Sequence, residues 1–105
     1  MTLEQFEYAS RELSATALDI QVAKRPAYTG GNVDVLHNFK TVAARVGVTP
    51  QQVWAVYWLK HVDAILSAMA RPDLPQAEAV IGRFADSRNY EDLGWALFKE
   101  REAAG

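Results

Sequence analysis

A chain of 105 residues with a formal charge of -2 is most simply one domain, large enough for a real core and without broad attraction to nucleic acid or an anionic membrane. Half of it is hydrophobic, and three Trp, four Tyr and four Phe are more than a disordered tail carries. The absence of Cys excludes disulfides, zinc–thiolate sites and thiol catalysis at one stroke.

The start, "MTLEQFEYAS", lacks the basic residues and apolar run of a signal peptide. The first predicted helix spans about 3–24, with Leu3, Phe6, Leu13, Ala17 and Ile20 on one stripe. It is expected to stop near Arg25, because Pro26 disfavours helical geometry in the residue before it. "PAYTGGN" reads as a loop in which Gly30 and Gly31 take conformations that other residues avoid. The second helix is expected over 33–46, burying Val35, Phe39, Val42 and Val46, with Gly47 as its C-terminal cap.

"VTPQQV" is the best-marked helix start in the chain. Thr49 can cap, Pro50 suits the first helical position, and Gln52 completes a capping box. The third helix follows over 50–70 and ends at Arg71-Pro72. Its strong face is Trp54, Trp58, Val62, Ile65 and Met69, widened by Leu59 and Leu66. Asp73 is a candidate cap for the fourth helix, over 74–101. That helix is apolar on two sides, Val80, Phe84, Trp95 and Phe98 on one and Tyr90, Leu93 and Leu97 on the other, so both sides call for cover. No apolar stretch approaches the roughly 20 residues of a membrane helix. The expected architecture is all-α, a single four-helix bundle-like domain assembled as a homo-oligomer and working in the cytoplasm.

The residues that can carry chemistry are few. On the third helix Lys60 and Asp63 lie three apart, as an ordinary surface ion pair would. On the fourth, Asp86 continues the stripe of Leu97, Leu93 and Tyr90, an odd place for an acid. With Asn89 and Tyr90 it can bind a base edge, a ribose or a hydrated metal, or it can belong to a buried polar network that fixes helix register. His37 and His61 stand on different predicted helices and read as unrelated. No phosphate-binding glycine loop and no nucleophile elbow is present.

Four stretches in order, "KRPAY", "VLHNFK", "VGVTPQQVWAVYWLKHVDAI" and "IGRFADSRNYEDLGWAL", resemble a group of small phage and prophage helical domains. Those domains are described as nucleotide-modification-associated and are distantly similar to the MazG-type all-α nucleoside triphosphate pyrophosphatases. The resemblance covers about residues 20–98 and falls on Lys24, Tyr28, Asn38, Phe39, Lys60, Asp86, Asn89 and Tyr90. It implies a ligand that is a nucleotide or a nucleotide-derived small molecule, with no membrane and no long nucleic acid as partner. Lys24, Lys60 and Arg83 would meet phosphate, Tyr28 or Tyr90 would stack, and Asp86 with Asn89 would bind base or sugar.

The pyrophosphatases hold magnesium with an E-E-x-x-E helix and an E-x-x-D helix, because this hard ion needs several converging carboxylates. Here Glu4, Glu7 and Glu12 do not reproduce the triplet, and "RFAD" puts Arg83 in place of an acid, where it attracts phosphate and repels a cation. Binding of a nucleotide, in nucleotide metabolism or to sequester a signal molecule in the host cytoplasm, is therefore the leading expectation. A magnesium-dependent pyrophosphohydrolase, using Asp63, Asp86 and another subunit's acid, is one alternative. A protein-interaction module whose polar cluster only fixes the fold is the other.

Overall fold

Two of the four helices begin at a side-chain cap, and two end at a left-handed glycine. The computed structural model describes residues 1–76 and 78–105 and consists of four helices, α1 (Leu3–Thr29), α2 (His37–Val46), α3 (Pro50–Ala70) and α4 (Val80–Ala104), with no strand among the described residues. The protein is all-α, as expected. At Thr49 the capping box forms in full: its hydroxyl accepts from the Gln52 amide at 3.1 Å, and the Gln52 side chain accepts from the Thr49 N–H at 2.9 Å. Thr2 and Gln5 build the same box at the head of α1. Gly47 ends α2 with φ +75°.

Three boundaries differ from the sequence expectation. α1 does not stop at Arg25 but runs through Pro26 for another turn, until Gly30 caps it by donating to the Pro26 carbonyl at 2.9 Å. A helix-interior proline costs about 3 kcal/mol. The extra turn offsets that cost by carrying Tyr28 into the core cluster, against Tyr90. α2 begins at His37 rather than Val33, because Asn32 and Asp34 satisfy the local backbone with their own side chains. Asn32 accepts from the Asp34 N–H and Asp34 from the Leu36 N–H, both at 2.9 Å, which holds a turn in place of a helix. Val33 and Val35 are consequently exposed, and so is Val46 at the other end of α2.

α4 begins at Val80 rather than at 74; position 77 of that expected stretch lies outside the described residues. Asp73 does not cap it. Its carboxylate takes two hydrogen bonds from the Arg71 guanidinium, at 3.2 and 3.1 Å, and Pro75 biases Leu74 away from helical geometry.

The four helices close on one core of Leu36, Phe39, Ala43, Val53, Leu93 and Leu97, with Tyr28, Trp54 and Tyr90 packed against it. α4 is the central element, packed along α3 on one side and α1 on the other, while α2 lies on α3. α3 and α4 run antiparallel, since Trp54 meets Tyr90 and Gly94 whereas His61 meets Asp86. The Trp54 indole lies flat against Gly94, where a Cβ would collide with it, and donates to the Tyr90 carbonyl at 2.5 Å. α1 runs parallel to α4, and three hydrogen bonds join them: Arg88 donates to Ser14, Gln21 to Asp92, and Asn89 to the Ala17 carbonyl. Of the stripe expected on α1, Ala17 is buried, whereas Leu3 and Phe6 stand in solvent. No helix among the described residues is long and apolar enough to cross a membrane.

Candidate ligand-binding cleft

Between the last turns of α1, the length of α2 and the facing sides of α3 and α4 lies a cleft of about 410 Å³. Its lining includes Lys24 and Tyr28 from α1, Asn38 and Phe39 from α2, Tyr57 from α3 and Tyr90 from α4. The extension of α1 past Pro26 is what brings Tyr28 there. Tyr90 is the hub of the aromatic wall. Its ring centre lies 6.4 Å from Tyr28, 6.2 Å from Phe39 and 6.3 Å from Tyr57, while the His61 ring lies over it at 4.8 Å.

Burial pushes the Tyr28 hydroxyl up to about 12, and the neighbouring Tyr90 and Asp86 add to the effect. Tyr90 is raised as well, first by burial and then by Tyr57 and Asp86. Both phenols are neutral hydrogen-bond donors at neutral pH, with apolar ring faces. Asn38 donates its amide N–H to the Ala27 carbonyl, which fixes the side chain across the α1–α2 junction.

Asp86, the acid in the apolar stripe, is buried at 7% exposure with two basic side chains beside it. The Lys24 ammonium lies 3.3 Å from one carboxylate oxygen, and the His61 Nδ1 lies 3.7 Å from the other. Lys24 is half exposed and reaches from this buried acid to the cleft mouth, so its free surface is a positive charge on an aromatic floor. Burial holds the His61 ring below its ordinary value. The Asp86 carboxylate opposes that, while the positive charges of Lys60, Lys24 and Arg83 reinforce it. These three cations therefore gather their fields on one imidazole, although only Lys24 lines the cleft.

Four of the residues proposed from sequence, Lys24, Tyr28, Asn38 and Tyr90, share this cleft, and Asp86 stands behind it through Lys24. The others lie elsewhere. Asn89 is 2% exposed and turns to α1, where it donates to the Ala17 carbonyl at 2.9 Å and pins the two helices. Lys60 and Asp63 are both exposed on α3, and no ion pair joins them among the described residues. The Arg83 Nε is buried without a hydrogen-bond partner among the described residues. In the sequence His61 reads as incidental, and Tyr57 is not among the expected site residues. One helical turn separates them on α3, which was the available signal.

Among the described residues no three acids or histidines gather as a metal site. The arrangement can hold a flat, partly apolar group against the tyrosines and an anionic group at the Lys24 amine. No protein-family model matches the chain, and neither a curated protein nor a solved structure matches it.

Proposed function

We propose that the chain binds a nucleotide or a nucleotide-derived signal molecule in the cleft between α1, α2, α3 and α4. In this reading a phosphate meets Lys24, the base lies among Tyr28, Tyr57 and Tyr90, and the Asn38 amide oxygen accepts from a base or sugar edge. The observation that carries it is the convergence of Lys24, Tyr28, Asn38 and Tyr90 on one cleft of about 410 Å³. That volume lies within the roughly 300–1,000 Å³ of small-molecule sites. Lys60 and Arg83 stand near His61 without lining the cleft, so Lys24 is the cation that would meet an anionic ligand. The role fits a cytoplasmic protein of phage type that supports nucleotide metabolism or sequesters a signal molecule. The reading includes assembly of the chain with itself.

The test is a thermal-shift series with nucleoside mono- and triphosphates, cyclic dinucleotides and NAD-derived molecules, each with magnesium and with chelator. A ligand at 100 times its dissociation constant stabilises the fold by about 2.7 kcal/mol, a rise in Tm of roughly 10–20 °C. Lys24→Gln keeps a donor for Asp86 and removes the charge, so it should abolish the shift while the protein remains folded. No shift with any of these compounds, or a shift that Lys24→Gln leaves intact, would overturn the proposal. Turnover that appears only with magnesium would make the protein a hydrolase instead.

A further inference from the structure

The chain exposes more surface than a compact monomer of its mass. It presents 7344 Å² to solvent, whereas a folded monomer of 11.7 kDa presents roughly 5,900 Å². Its radius of gyration is 15.7 Å, against about 13 Å for a compact domain of this length. The excess is roughly 1,400 Å² per chain, or roughly 2,900 Å² for a pair, and falls in the range of obligate homodimer interfaces.

The exposed side chains are not scattered. On α3, Leu59, Leu66 and Met69 recur at spacings of seven and three with Val62 between them, and they are 49%, 60% and 70% exposed. On α4, Val80, Trp95 and Phe98 stand 40%, 63% and 44% exposed, with the half-buried Phe84 in the same stripe. The two helices are antiparallel neighbours, and neither set is covered by α1 or α2. The α3 stripe carries no charge, and its alternating spacing of three and four is that of helices that pack lengthwise on a like pair. Another apolar region, around Val46, Val48 and Val56, is short and sits beside the cleft, and α1 exposes a separate set, Leu3, Phe6, Leu18 and Val22.

From this area and spacing we infer that the outer face of the α3–α4 hairpin is the interface with a second copy of this chain, the two hairpins forming a four-helix layer about a twofold axis. The inference rests on the self-assembly included in the proposed function and names the face that mediates it. An isologous interface sets each stripe against its own copy. On α3 the stripe lies well round the helix from Tyr57, so each copy keeps its cleft open to solvent.

Sedimentation equilibrium on the full chain tests it, with circular dichroism as the check of folding. The wild type should show twice the 11.7 kDa of one chain. Leu66→Arg and, separately, Trp95→Arg should give the mass of one chain with unchanged helix content. Leu18→Arg, on α1 at 56% exposure, should leave the larger mass in place. A wild type at the mass of one chain overturns both the interface and the self-assembly. A dimer that survives Leu66→Arg and Trp95→Arg, or that only Leu18→Arg dissociates, overturns this face alone. If one of the two arginine variants is unfolded, the other decides.

Discussion

Asp86 illustrates how a buried charge depends on its partners unequally. Lys24 keeps nearly half its side chain in water, whereas Asp86 has only the protein around it. Removing Asp86 leaves a cation that water can solvate; removing Lys24 leaves a desolvated carboxylate with only the His61 ring beside it. Leaving such a group unpaired costs about 1–3 kcal/mol. Lys24→Ala should therefore destabilise the protein by more than Asp86→Asn does, and urea midpoints for the two variants read the difference directly. Equal costs would mean that the pair is too wet to matter. His61 gives a second expectation. Burial holds its folded pKa below the ordinary 6.5, so the unfolded chain takes up the proton first as pH falls. The contribution is complete above pH 6.5 and is lost as the solution is acidified through that value. His61→Gln should flatten the stability profile between neutral and mildly acidic pH, and an unchanged slope would count against it. That Asp86 was unusual could be read from one helical stripe. That His61 is its neighbour could not, because "KHVD" looks incidental until α4 sets a carboxylate against it.

Among the elements, α3 was legible to the residue, because Thr49, Pro50 and Gln52 each fit one backbone requirement at its start. The other boundaries failed where side chains competed with the backbone, at Asn32, Asp34 and Asp73, or where tertiary packing overrode a local rule, at Pro26. For the latter, Pro26→Ala restores an N–H within a helix that already exists and removes the ring's clash with the preceding turn. It should raise the urea midpoint, with a gain of up to about 3 kcal/mol. A fall would show that the proline ring itself is needed against α2. The α3–α4 contact makes the opposite prediction. Gly94→Ala places a methyl group on the Trp54 indole and should cost about 1–3 kcal/mol through overpacking. Trp54 fluorescence should change with it, because the indole must leave the Tyr90 carbonyl. In the cleft, Lys24, Tyr28 and Asn38 rest only on the family resemblance, and Tyr90 also on its place beside Asp86 on the fourth helix. Asn89 sits only three residues from Asp86, yet α1 claims it, and no single-helix pattern distinguishes those two directions.

For the whole molecule, the cleft and the outer hairpin face occupy different sides of α3, so ligand binding and self-association should separate. The Leu66→Arg chain should keep the ligand-induced thermal shift found for the wild type, and Lys24→Gln should keep the wild-type mass. Loss of both properties from either change would place the two sites in contact. The polar seam between α1 and α4 has a different consequence. All the residues of the buried core cluster lie between Leu36 and Leu97, and α1 adds only a partly buried Tyr28 to it. Hydrogen bonds such as Gln21 to Asp92 do little to resist denaturant, because water replaces them readily. α1 is therefore the first cooperative unit to open, and its amides should exchange with deuterium before those of α3 and α4. Because that same helix brings Lys24 and Tyr28 to the cleft, an occupied cleft should slow exchange along α1 more than anywhere else, so that ligand capture is in part the docking of a helix.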